Sequence, residues 1–200
     1  MKTIVTIGRE YGSGGRIVAQ RLAEKLGVPF YDKEVIQGVA KKTGFAENFV
    51  REAERRPTNS FMYDLYFSTH SLSIPDQVFI AQSGVIKDLA DKGGCVIVGR
   101  CADYILREHP RCVNIFVSAS REDRIERLVR TRRLTPEAAE QLMDSTDEKR
   151  ADYYNYYSNR TWGAAATYHL CIDSSVLGID GTAAFAEEFI RKKLNLARKD

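Results

Sequence analysis

The first sixteen residues limit the possible folds more than any other part of this chain. Residues 3–7, Thr-Ile-Val-Thr-Ile, form a short β-branched apolar run that opens directly onto Gly8-Arg9-Glu10-Tyr11-Gly12-Ser13-Gly14-Gly15-Arg16. Over residues 16–26 the apolar period becomes helical, with Val18, Leu22 and Leu26 on one face and Gly27 as the stop. Glycines let successive backbone N–H groups approach one anion without a Cβ in the way. The start of a helix adds unpaired donors and a partial positive charge. A strand, a glycine-rich turn and a helix in this order predict a phosphate site at the carboxyl end of the first strand.

The alternation continues along the chain. Residues 28–31 read as a short strand, placed at a sheet edge or strand start by Pro29. Asp32 is either the N-cap of a helix carrying Val35, Ile36, Val39 and Ala40 or a ligand-facing acid. Further strands are predicted over 95–98, 113–117 and 170–172, with helices over 77–90, 122–130 and 179–194. Ser120 and Thr135 are the expected N-caps of the helices that follow them, with Pro136 at the first helical position. Between residues 43 and 76 the pattern loosens. Phe61, Tyr63, Tyr66 and Phe67 crowd an excursion from the core that suits either an acceptor site or a homodimer contact. Two hundred residues suit one domain with its own core. The order implies an α/β fold with a mainly parallel sheet covered on both faces, and ligands beyond the carboxyl ends of its strands. Residues 8–15, Asp32, Arg100, Ser118 and Asp173 fall at those ends.

Composition excludes several function classes. A net charge of +3 suits an anionic small molecule but gives no case for nucleic acid. The four cysteines, Cys95, Cys101, Cys112 and Cys171, contain no C-x-x-C pair and lie at no ligand spacing from a histidine, so no metal site is expected. The first apolar run breaks at Gly8-Arg9-Glu10 and no stretch reaches membrane-spanning length, so a cytoplasmic protein without a membrane partner is expected. His70, His109 and His169 are scattered and carry no catalytic assignment.

The glycine segment departs from both familiar nucleotide fingerprints. The strict phosphate loop needs Gly, four residues, then Gly-Lys and Ser or Thr. Aligned on Gly14-Gly15, the lysine is absent. Aligned on Gly15-Arg16, arginine replaces it and Ile17 stands in place of the metal-binding hydroxyl. The dinucleotide fingerprint Gly12-x-Gly14 lacks its third glycine, because Ile17 occupies that place. A plain strand-to-helix turn would not need four glycines and a serine. Elsewhere, Arg130, Arg132 and Arg133 suit either a solvated helix end or an anion site. Asp147 and Arg150 suit a surface i, i+3 pair or a functional one. Packing is the expected role of the aromatic run 153–157.

Arg9 to Gly15 followed by a helix and Tyr31-Asp32, then Val98-Gly99-Arg100, then the segment 172–179 together resemble the cytidylate kinase-like family of nucleoside monophosphate kinases. The resemblance implies a P-loop NTPase-like three-layer α/β/α fold with a five-stranded mainly parallel sheet. It implies one domain over residues 1–200, with a helical acceptor-side insert at about 33–76 and a lid at about 130–160. It also implies a phosphotransferase that uses ATP and Mg2+, passing the γ-phosphoryl to a nucleoside monophosphate of CMP type or a related small acceptor. Arg9, Gly12, Ser13, Gly14, Gly15 and Arg16 would then hold the donor phosphates, and Asp32, Arg100 and Asp103 would face the acceptor. Arg16, Arg130, Arg133, Asp147 and Arg150 would act on the transferring group. Cys101 stands where cytidylate kinases carry an acid after Gly-Arg, which leaves Asp103 as its possible replacement. Two other readings stay open: a nucleotide-binding sensor or regulator without the reaction, from the missing lysine, and an NAD(P)-dependent oxidoreductase, from Gly12-x-Gly14 with Asp32. The arginine run has no role in the latter.

Overall fold

In the computed structural model, residues 3–53 and 73–196 are described. The aromatic excursion Phe61, Tyr63, Tyr66 and Phe67 lies outside them. In chain order the elements are β1 (Ile4–Arg9), α1 (Gly15–Leu26), β2 (Phe30–Tyr31), α2 (Lys33–Thr43), α3 (Glu47–Ala53), α4 (Ile74–Lys92), β3 (Cys95–Val98), α5 (Ala102–Ile105), β4 (Cys112–Ser118), α6 (Arg121–Arg132), α7 (Pro136–Ser158), a 3₁₀ turn (Ala165–Thr167), β5 (Leu170–Asp173) and α8 (Ser174–Lys193).

The five strands form one sheet in the order β2-β3-β1-β4-β5, and every pairing is parallel. Ile4 lies opposite both Cys95 and Cys112, so β1 is flanked on each side. β2, which follows Pro29, sits at the edge as its proline requires.

Period-two alternation assigns each side chain to one of two cores. Val5, Ile7, Val96, Val98, Val113, Ile115 and Val117 pack with Val18 and Leu22 of α1 and with Ala183, Ala186 and Ile190 of α8. Ile4, Cys95, Ile97 and Cys112 face the other way, toward α2, α3, α4 and α5. Each fully buried branched side chain contributes about 1.5–3 kcal/mol. One polar pair interrupts the second face, where the Thr6 hydroxyl donates to Asn114 Oδ1 at 2.8 Å.

The helix ends follow local chemistry. Ser120 and Thr135 each accept the backbone N–H of the third residue of their helices, Asp123 and Ala138. Gly27 ends α1 in the left-handed conformation. α8 breaks at Gly178 (φ 65°, ψ 177°), which separates a single turn capped by Asp173 from the long helix starting at Ile179. The topology places the ends of β1, β3, β4 and β5 side by side on one rim, where the loops beyond them meet.

Candidate nucleotide site

The turn beyond β1 is held by protein contacts that leave alternate amides unspent. The Tyr11 amide donates to Asp147 Oδ1 at 2.7 Å, the Ser13 amide to the Glu10 carbonyl at 3.4 Å, and the Gly15 amide to Ser13 Oγ at 3.2 Å. The amides of Gly12, Gly14 and Arg16 have no hydrogen-bond partner among the described residues. The carbonyls are restrained from outside: Arg124 Nε donates to Tyr11 O at 2.8 Å, Arg127 to Gly12 O, and the Ser174 hydroxyl to Ser13 O at 2.6 Å. In a trans peptide the C=O and the following N–H point in opposite directions. Holding Tyr11 O and Ser13 O outward therefore turns the Gly12 and Gly14 N–H groups inward. The first turn of α1 contains no acid, so the positive end of its dipole is not neutralised within the helix.

A buried ionic cluster fixes this turn to α6 and α7. Arg124, with its side chain 10% exposed, contacts Asp147 and lies 3.4 Å from Glu10 Oε2. Glu10 Oε2 also accepts from the Ala119 amide at 3.1 Å. Arg150 Nη1 donates to the Arg9 carbonyl at 3.0 Å, and its guanidinium lies over the Tyr11 ring. Burial pushes the Asp147 carboxyl above its ordinary value, against the Tyr11 amide and the charges of Arg124 and Arg150. Burial likewise pushes the Arg150 guanidinium down.

A second ionic group lies across the rim. Asp32 occupies the N-cap position of α2 but makes no cap bond. Its carboxylate instead accepts from Arg16 Nε at 2.7 Å and Arg100 Nη1 at 3.1 Å, so the N-cap reading of this side chain is corrected. Burial opposes its charge, yet the Arg16 hydrogen bond and the Arg100 charge outweigh it and hold the carboxyl below its ordinary value. A cation in the first turn of a helix is disfavoured by the dipole, and Asp32 compensates for Arg16 there. After β3, Gly99, Arg100 and Cys101 are consecutively left-handed, with φ of 69°, 58° and 53°. For the two non-glycine residues this costs about 1–2 kcal/mol each. Buried Gln82 holds the turn, its Nε2 donating to Arg100 O at 3.1 Å and to Tyr153 Oη at 3.0 Å.

Next to these groups, with Arg9, Tyr11, Arg100 and Arg150 in its wall but none of Gly12 to Arg16, opens a cleft of about 410 Å³. Among the described residues its lining includes six cations, Arg9, Arg51, Arg100, Arg132, Lys149 and Arg150, and a single acid, Asp103. Such a surplus concentrates anions. The Asp103 carboxylate accepts from Tyr154 Oη at 2.7 Å. Burial raises its pKa, and Tyr154 with nearby backbone amides offsets this only in part. Tyr153, Tyr154, Trp162 and Tyr168 form an aromatic wall.

The residues named from the sequence are distributed as follows. Gly12 to Gly15 form the turn, with Arg9 just before it. Arg16, Asp32 and Arg100 form one ion-paired group, while Asp147 and Arg150 brace the turn. Asp103 lies in the cleft wall. Arg130 and Arg133 are exposed and do not line the cleft, whereas Arg132 does. The stretch at about 130–160 is the end of α6 and all of α7; the described part of 33–76 is α2, α3 and the start of α4. Arg124, Arg127, Glu10, Gln82 and Ser174 carry no site role in the sequence reading. One signal was present: Arg124 lies four residues before Leu128, on the buried stripe of α6.

Against known proteins, a model of the cytidylate kinase-like family matches residues 4–176. No curated protein matches the sequence. Among solved structures, an uncharacterized protein from Eubacterium ventriosum superposes with a TM-score of 0.74 at 28% identity, covering 94% of this chain and 98% of its own. A shikimate kinase from Acinetobacter baumannii, solved with shikimate, gives a TM-score of 0.51 at 18% identity over 100% of this chain and 96% of its own. A gluconokinase from Sinorhizobium meliloti gives 0.52 at 15% identity over 97% and 96%. The all-parallel five-stranded α/β fold is thus that of P-loop kinases.

Proposed function

The chain belongs to the cytidylate kinase-like family, and from that premise we propose that it transfers the γ-phosphoryl of ATP to a nucleoside monophosphate of CMP type or a related small anionic acceptor. The observation that carries this reading is the set of amides at Gly12, Gly14 and Arg16 with no partner among the described residues, the first two turned inward, near a cleft whose described lining carries six cations. Phosphoryl transfer asks little covalent help of a protein; it requires positioning and positive charge around the migrating group.

In this reading the turn binds the donor phosphates through backbone N–H groups. Arg100 and Arg150 flank the path to the acceptor, and their forked donors match phosphate oxygens. The Asp32 carboxylate keeps Arg16 and Arg100 in place. Lys149 and Arg132 present charge from the α6–α7 side, and the aromatic wall limits water at the far end. ATP supplies the phosphoryl group and Mg2+ shields the charge on its oxygens. The residues present fit a metal carried by the nucleotide. With the lysine position at Gly15, Arg16 stands in place of the loop hydroxyl, and among the described residues no three His, Cys, Asp or Glu side chains converge. Phosphate oxygens and water would complete the coordination.

The test is purified protein with ATP, Mg2+ and a panel of nucleoside monophosphates and small hydroxy acids, with products resolved by chromatography. Diphosphate or phosphorylated acid is expected from at least one acceptor. ATP binding without transfer to any of them would leave instead the sensor reading, which the absence of a lysine at Gly15 favours.

A further inference from the structure

The strict phosphate loop carries its cation at the position Gly15 occupies, and the packing around Gly15 explains why no lysine stands there. A Cβ on Gly15 would lie 2.6 Å from Arg9 Cβ, 3.3 Å from Arg9 Cγ and 3.1 Å from Val117 Cβ. These neighbours are anchored at β1 and β4, so rotating a side chain cannot make room. The base of the Arg9 side chain fills the space that a residue at position 15 would need.

The far end of Arg9 is accommodated in the same way. A Cβ on Gly99 would lie 2.1 Å from Arg9 Nη1 and 3.0 Å from Arg9 Cζ. The side chain therefore runs in a slot between two glycines, from the first turn of α1 to the end of β3, and its guanidinium reaches the cleft. It lies near enough to Asp32 to help hold that carboxyl ionised. Two other cations near the turn have protein partners that turn them from it. Arg16 is 51% exposed and turned onto Asp32. Arg127 is bound to the outward carbonyl of Gly12.

We infer that Arg9 is the donor-phosphate cation of this protein, reaching the phosphates from the strand before the loop because Gly15 and Gly99 leave it the room. The inference rests on the phosphotransferase reading. It assigns the charge missing from the loop to a residue six positions earlier, and makes positions 9 and 15 a linked pair in which a Cβ at one excludes a Cβ at the other.

The experiment uses the full chain and compares ATP with ADP binding by calorimetry in Mg2+, alongside transfer to the best acceptor. Wild type should prefer ATP. Arg9→Met should lose that preference about tenfold, as for one charge-assisted hydrogen bond, and lower turnover by about 10²-fold. Arg9→Lys, which keeps a cation in the slot, should stay within about tenfold of wild-type turnover. Gly15→Lys alone should unfold at a lower temperature than wild type. The pair Arg9→Gly with Gly15→Lys should unfold at a higher temperature than Gly15→Lys alone and bind ATP more tightly than Arg9→Gly.

Unchanged ATP preference and turnover in folded Arg9→Met would overturn the inference and leave the phosphotransferase reading intact. So would a folded double variant no better at binding ATP than Arg9→Gly. Equal losses in Arg9→Lys and Arg9→Met would show that charge is not the contribution and overturn it too. A wild type with no affinity for either nucleotide would remove both.

Discussion

Asp147→Ala tests whether the turn beyond β1 is held by the α6–α7 cluster. Its carboxylate accepts the Tyr11 amide at 2.7 Å, contacts Arg124, and lies 3.5 Å from Arg150. Removing one partner of a fully buried ion pair costs about 3–5 kcal/mol, mostly from the uncompensated charge left behind. Here the loss is smaller. Asp147 is 16% exposed, and Arg124 keeps Glu10 at 3.4 Å and the Tyr11 carbonyl. A cost of about 2–3 kcal/mol is expected, which at this chain length lowers the melting temperature by about 4–12 °C. Asp147→Asn, which retains an acceptor for the Tyr11 amide, should lose less. Because burial raises the Asp147 pKa, the carboxylate gains little net stability from the cluster, and the damage on truncation comes from stranding Arg124. Arg124→Met combined with Asp147→Ala should therefore be less destabilising than the sum of the single changes, by about 1–2 kcal/mol. Equilibrium urea unfolding of the four proteins measures this directly. Additivity within about 0.5 kcal/mol would refute the reasoning.

Three other outcomes follow from the geometry. Gly14→Ala forces φ of 78° on an alanine and sets its Cβ 2.2 Å from Ile179 Cδ1. It should cost about 1–2 kcal/mol in backbone strain plus the contact, and Ile179→Val, which removes that carbon, should recover only the contact part in thermal melts. Asp103 has a raised folded pKa, so its contribution to stability is full below its ordinary value of 3.8 and is lost as pH rises through the folded value. Asp103→Asn should flatten the fall in urea stability over that window, and parallel profiles would contradict the assignment. Arg100→Lys replaces a fork with a point charge beside Asp32 and should weaken acceptor binding about tenfold with ATP affinity unchanged, as read from separate KM values.

Several features of this molecule were legible in the sequence because the period of the apolar residues is nearly sufficient to define them. β-Branched runs gave the strands, Pro29 placed β2 at an edge, and Ser120 and Thr135 marked helix starts. The loop could be located for the same reason. The residues that shape it were harder to find, because they come from α6, α7 and α8, more than a hundred positions later. The basic cluster at the end of α6 drew attention to Arg130 and Arg133, which face solvent. Arg127 and Arg124, about one and two turns earlier, hold the loop carbonyls. Charge density along a sequence counts arginines without saying which face they occupy; the apolar stripe through Leu128 carried that information. The left-handed run at Arg100 and Cys101 had no sequence signal at all, since only Gly99 in that turn is a residue that favours positive φ.

The glycines also have a different meaning in the structure from the one their spacing suggests. In the sequence they read as room for a phosphate. Yet a Cβ at Gly12 would meet the Arg124 backbone oxygen at 3.0 Å, one at Gly14 would meet Ile179, and one at Gly15 would meet Arg9 and Val117. Each glycine is required by a neighbouring protein element, before any ligand is considered. A glycine-rich turn in a parallel α/β fold is therefore weak support for phosphate binding, because close packing of helices around the turn selects glycine equally well. What distinguishes a binding turn is the direction of its peptides. Here Arg124 and Ser174, by fixing the Tyr11 and Ser13 carbonyls outward, point two successive glycine amides the same way, and a turn that served only as a connection would not need side chains from two later helices to do so.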